Sequence, residues 1–196
     1  MTNRIHGPLK YHGGKTYLAK NLVSLMPFHT HFVEVFCGAL SVLFAKNYFG
    51  ISEVVNDIYG LLINFWLVLQ DEELFVKFQQ RCIATPFAQV QWEQAQRDLT
   101  HDDPVIAAHA FFVLNRQSRQ GLNNDFATLS RNRVRRGMNE QVSSWLTAID
   151  GLPRVHDRLK RGVILNRDAL DVIQLSEFGQ TTSWTVTPPM RSPFLP

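Results

Sequence analysis

Two short apolar runs, HFVEVFC (31–37) and EVVN (53–56), each end at a turn and each lead into a stretch with helical spacing. This alternation constrains the fold more than any other feature. Runs rich in β-branched and aromatic residues, separated by helices instead of tight turns, cannot close a hairpin. They are joined by crossovers and lie parallel. GVILN (162–166) supplies a third such run, followed by the short helical DALDVIQL. The expected class is therefore α/β, with an open parallel sheet. Helices are expected over 39–49, 61–70, 72–82, 87–99, 104–115 and 139–149, with a further one over 153–160. Residues 116–138 are polar and aperiodic and read as a loop. Long helical stretches with little strand fill 71–160, which reads as an insertion between sheet units. The expected organisation is a sheet domain from 1–70 and 161–180, an inserted, mainly helical region over 71–160, and an aberrant tail over 181–196.

Hydrophobic residues make up 45% of the 196, with 14 Phe and 4 Trp, enough to bury a substantial core. The two cysteines, Cys37 and Cys82, form neither a disulfide framework nor a metal-ligand set, so no metal is expected. The pair suits a reducing compartment, and with no apolar leader and no spanning run the expected location is the cytoplasm, away from membranes. Charge is unevenly shared. Residues 1–115 hold 8 Lys and Arg against 10 Asp and Glu, while 116–196 hold 12 against 7. Arg116, Arg119, Arg131, Arg133, Arg135 and Arg136 share one window with a single acid, Asp125. Such a concentration is the footprint of a polyanion partner; a solvated basic loop is the plainer reading.

Three motifs carry chemistry. KYHGGKT (10–16) is not a phosphate-binding P-loop, which would need Gly at position 9, where Leu9 stands, and a preceding strand. It still offers a close backbone approach at Gly13 and Gly14, a cation at Lys15 and a stacking face at Tyr11. EVFCGALSV (34–42) runs from strand through Gly38 into a helix, the place where open α/β sheets bind ligands. Glu34 is a charge inside that otherwise apolar strand. VVNDIYG (54–60) puts Asp57 just past the second strand, about 20 residues after the Gly turn, where an acid accepts hydrogen bonds from a ribose. A helix N-cap is the structural alternative for Asp57.

In this order, Lys-aromatic-x-Gly-Gly-Lys, Glu-x-Phe-x-Gly and Asn-Asp closely resemble the DNA adenine N6-methyltransferase family. FFVLNRQSRQGL (111–122) is similar to that family's aromatic-Leu-Asn-Arg stretch, which leads into its DNA-contacting region. The resemblance implies a Rossmann-like methyltransferase sheet, here incomplete, with an inserted target-recognition region. It implies S-adenosylmethionine as cofactor, contacted by Tyr11 and Lys15, with Glu34, Phe36 and Gly38 beneath its methionine part and Asp57 on its ribose. It implies duplex DNA as substrate, met by Asn115, Arg116, Arg119, Asn123, Arg131, Arg133, Arg135 and Arg136, and a monomeric enzyme of the kind used in restriction and modification. One position departs: Leu40 replaces the family's second glycine, and its side chain is expected to crowd the cofactor.

The family's catalytic Asp-Pro-Pro-Tyr is absent in frame. TTSWTVTPPM (181–190) stands in its place, and Thr187-Pro188-Pro189-Met190 is what that motif becomes in a shifted frame. The bases TTC CTG GAC TGT GAC CCC CCC TAT encode Phe-Leu-Asp-Cys-Asp-Pro-Pro-Tyr. Read one base later they encode the Ser183-to-Met190 sequence. The expectation is a methyltransferase whose catalytic strand is missing, inactive as it stands, with a poorly packed tail. The alternatives are a non-catalytic DNA-binding protein using the basic segment 116–136, and a methyltransferase for another substrate, for which no binding motif is present.

Overall fold

A computed structural model describes residues 5–10, 17–121, 125–127, 133–175 and 182–185. A parallel sheet has strand order β5-β2-β1-β6, with β1 His31–Glu34, β2 Ser52–Asn56, β5 Val163–Leu165 and β6 Thr182–Thr185. Its side chains alternate between two cores. Phe32 and Val55 join the large cluster on one face, while Val33, Val35 and Val54 join a small one with Val172 on the other. That period of two is the sheet's own, and it explains why both faces are apolar: helices cover each of them. The small cluster is roofed by α8 (Ala169–Leu175).

Between β1 and β2 lies α2 (Ser41–Ala45), shorter than the 39–49 expected because Leu40 is left-handed and Lys46 extended. A helical block occupies the β2-to-β5 crossover: α3 (Gly60–Gln70), α4 (Glu72–Ala84), α5 (Gln89–Asp98), α6 (Pro104–Gln117) and α7 (Glu140–Leu159). Sequence-local caps start three of them. Asp71 accepts from Leu74 N–H, Asp103 from Val105 N–H with Pro104 in the first turn, and Asn139 from Gln141 N–H. Fully buried Phe65, Trp66, Phe78, Phe111, Phe112 and Trp145 pack ring against ring, with Phe65 stacked on Phe112 at 5.7 Å. Each such ring contributes about 2–3 kcal/mol by burial. The same cluster reaches back to Phe32, Leu40 and Phe44, so the sheet and the helical insertion share one core. The remaining helix, α1 (Ala19–Leu25), precedes β1.

Three expectations are corrected. First, α7 runs unbroken through Gly151 and Pro153, where the sequence predicts a break. Trp145, Ile149, Leu152, Val155, His156 and Leu159 recur at helical spacing on its buried face, and packing outweighs the missing backbone bond. Second, 116–138 is not all loop. α6 extends to Gln117, a 3₁₀ turn covers Arg119–Gly121, and β3 (Val134–Arg135) pairs antiparallel with β4 (Met138–Asn139). Arg136 and Gly137 form the two-residue turn with φ of 54° and 73°, the geometry that matches strand twist. Third, the strand expected to be missing is there: Thr182–Thr185 pairs parallel with β1, Thr185 opposite Glu34. Thr and Trp favour extended backbone, and a parallel ladder is made of main-chain atoms only.

A charged cluster is buried at the start of β2. Glu53 receives Lys46 Nζ at 2.8 Å and Arg158 Nη1 and Nη2 at 2.6 and 2.8 Å. It ties α2's exit, β2 and the end of α7 together. Among the described residues no helix is long and apolar enough to cross a membrane, and no group of His, Cys, Asp and Glu is placed to hold a metal ion. Both cysteines are free and buried.

Candidate cofactor site and nucleic-acid interface

The chain winds one way from β1 through β2 to β5, then crosses by α8 to the far side of β1, where β6 lies. The winding thus reverses between β1 and β6, and open α/β sheets have their binding crevice at such a reversal, outside the carboxyl ends of the strands. Glu34, Phe36, Gly38 and Asp57 all belong to the two strand exits at that crevice.

Asp57 organises it. Its Oδ2 accepts from Gly38 N–H at 3.0 Å and its Oδ1 from Tyr59 N–H at 3.1 Å. The carboxylate thus spans both βα turns, and each oxygen keeps acceptor capacity for a further donor. Asp57 thereby closes a side-chain turn onto Tyr59 just ahead of α3, a helix that itself has no side-chain cap, so the N-cap alternative is corrected. Asn56, which the sequence reading does not single out, braces the same spot. Its Nδ2 donates to the carbonyls of Val35 and Arg167, and its Oδ1 accepts from Arg167 N–H at 2.9 Å. Trp66 Nε1 donates to Gly38 C=O at 3.0 Å. The Asn-Asp pair is the visible signal for the first, but nothing in the sequence marks the second.

Gly38 has φ 47° and Leu40 φ 56°. The backbone at 40 is thus one that favours glycine, consistent with a glycine in the family's pattern. A leucine there costs roughly 1–2 kcal/mol. The Leu40 side chain is fully buried in the main core. Glu34 is 3% exposed at the end of β1. Burial first, then the Asp57 and Glu34 carboxylates, pushes the Cys37 thiol far up its range. Phe36 packs toward the α8 face. Burial pushes the Tyr59 phenol up to about 12. Tyr11 and Lys15 lie outside the described residues.

The predicted DNA-binding residues divide. Asn115 is 1% exposed, with its carboxamide paired to the main chain of Lys10, and so is not presented at the surface. Arg116 is turned inward, donating from Nη2 to Ser144 C=O and Oγ at 2.7 Å, and burial lowers its pKa to about 10. These two serve packing, because α6 continues through them. Arg119, Arg133, Arg135 and Arg136 are exposed. The last three form one rim of the β3–β4 hairpin, held to α7 by Arg136 Nη1 donating to Thr147 Oγ1 at 2.9 Å. The Arg133–Glu140 pair at 3.5 Å is open to solvent and weak. Asn123, Arg131, and Thr187 through Met190 lie outside the described residues.

A small parallel sheet whose first two strand exits are bridged by one carboxylate, with a helical block in the crossover between its strands, defines an α/β protein. The family model of the D12 class N6 adenine-specific DNA methyltransferases matches residues 11–132, more than half of the chain, and the chain belongs to that family. No match was found among curated proteins.

Proposed function

We propose that this chain carries the S-adenosylmethionine site and the recognition hairpin of an enzyme that methylates adenine N6 in duplex DNA, and that it is inactive because its catalytic strand is out of frame. The family match supports the reaction class. The single observation that carries the cofactor assignment is the Asp57 carboxylate, held between the Gly38 and Tyr59 amides with acceptor capacity to spare. Two vicinal ribose hydroxyls are donors suited to that capacity. When bound, S-adenosylmethionine supplies an electrophilic methyl group on a sulfonium. The protein's work is to hold the partners in line and to exclude water.

The target amine sits inside the duplex stack, so the base must be extruded before reaction. Its lone pair is delocalised into the ring. An Asp carboxylate and a Pro carbonyl accepting its two hydrogens would favour the pyramidal nitrogen that attacks. Thr187 offers a neutral hydroxyl in place of that carboxylate, and Met190 no aromatic face. Loss of one such electrostatic partner costs about 10²–10³ in rate.

Asp57→Ala is expected to weaken S-adenosylmethionine binding, read by isothermal titration, roughly ten- to hundredfold, as loss of charge-assisted hydrogen bonds implies. Unchanged affinity would remove Asp57 from the site. For the hairpin, a plot of log duplex affinity against log salt is expected to fall steeply. Replacing Arg133, Arg135 and Arg136 by Ala should flatten it by roughly one for each phosphate that is no longer neutralised. A slope the triple variant leaves untouched would move the DNA surface elsewhere.

A further inference from the structure

Lys10 stands immediately before the Tyr11–Lys15 motif, and its main chain is gripped by a side chain more than one hundred residues away. Asn115 Oδ1 accepts from Lys10 N–H at 2.7 Å, and Asn115 Nδ2 donates to Lys10 C=O at 2.9 Å. A carboxamide paired both ways with one residue fixes both the position and the direction of the chain there. The Lys10 ammonium donates to Arg116 C=O at 2.7 Å, near the end of α6, where helix carbonyls lack intrahelical partners. Gly121 completes the grip. With φ +74°, a Cβ there would lie 2.7 Å from Lys10 O, so the 3₁₀ turn comes this close only as glycine. Asn115, Arg116 and Gly121 are the threshold of the basic segment.

We propose that Asn115 is a positioning residue that fixes Lys10, the residue from which the N-terminal motif continues, beside the start of the recognition segment, so that cofactor and DNA each raise the other's affinity. This rests on the reading in which Tyr11 and Lys15 meet the cofactor and the basic segment meets DNA. Asn115 itself touches neither. Linkage makes the effect reciprocal: the factor by which duplex tightens cofactor is the factor by which cofactor tightens duplex.

The test uses the full chain. S-adenosylmethionine affinity is measured with and without saturating duplex, together with hydrogen exchange at the Lys10 amide. Asn115→Leu removes both hydrogen bonds at nearly constant volume, and Asn115→Asp keeps the acceptor and loses the donor. Gln70→Met is the control, since Gln70 Nε2 also donates to two carbonyls, of Leu159 and Gly162, away from the motif. In the unaltered chain, duplex should tighten cofactor several-fold. Asn115→Leu should weaken cofactor about tenfold, abolish the duplex effect and speed Lys10 exchange. Asn115→Asp should fall between, and it carries the test alone if the Leu variant does not fold. Gln70→Met should lower the melting temperature and change none of these. The proposal is overturned if duplex has no effect in the unaltered chain, or if the Asn115 variants keep that effect. It is also overturned if Gln70→Met reproduces the affinity loss. If the unaltered chain binds no cofactor, the cofactor reading fails by itself. The grip is then judged by Lys10 exchange and duplex affinity, and Asn115 variants that change neither overturn it.

Discussion

Inserting one base near codon 180 is expected to convert a chain that transfers no methyl groups into one that does. The inserted base would turn Ser183 through Met190 into Phe-Leu-Asp-Cys-Asp-Pro-Pro-Tyr if the codons are TTC CTG GAC TGT GAC CCC CCC TAT, and would restore whatever follows. β6 already lies beside β1, with Thr185 opposite Glu34, so the new side chains would enter an existing strand and bring Asp-Pro-Pro-Tyr to the crevice end of the sheet. The readout is labelled methyl transferred to duplex containing adenine. An increase of at least roughly a thousandfold is expected, since an electrostatic partner for the amine and a stacking face are regained together. Thr187→Asp with Met190→Tyr, in the present frame, should recover only part of it, because the rest of the strand stays unaltered. Equal rates in the 196-residue and restored chains would place the catalytic groups elsewhere and end the frame reading.

The second large effect is on stability. Glu53→Ala should cost about 3–5 kcal/mol, measured by urea unfolding, because it strands two cations where water cannot reach them. The Lys46, Glu53 and Arg158 side chains are each only 1–2% exposed. Set against a total stability of about 5–15 kcal/mol for a domain, this is a large share. Replacing all three by apolar residues of similar size should cost far less, since no unpaired charge remains. A loss below about 1 kcal/mol for Glu53→Ala would mean that water reaches the cluster, contrary to its burial.

The legible parts of the chain follow local physics. β1, β2 and β5 announce themselves as β-branched runs between turns, and α4 and α6 by Asp71, Asp103 and Pro104. Asp57 is marked by its distance from Gly38, since one helix and one strand between them bring the two residues side by side at neighbouring strand exits. The misleading parts depend on neighbours distant in sequence. Gly151 and Pro153 signal a helix end, but the buried stripe of α7 keeps the helix whole. Thr182–Thr185 lacks an apolar pattern, but a partner strand supplies its hydrogen bonds. The hairpin strands are two residues long and their turn is Arg-Gly, without the Asn-Gly signature. Asn115 falls in with the arginines by proximity in the chain. Its helical spacing from Phe111 and Phe112, both buried, is the clue that it faces inward.

α7 links two of these features mechanically. Its 20 residues span about 30 Å, with the hairpin at its first turn and Arg158 in the Glu53 cluster at its last. It is a strut whose far end is bolted to the sheet. A tilt of about 5° at that anchorage would swing the hairpin by about 2–3 Å over such a length, comparable to the reach of a hydrogen bond. Where the arginine rim sits is thus set partly by a carboxylate at the opposite end of the helix, and substitutions there would re-aim the hairpin without touching it.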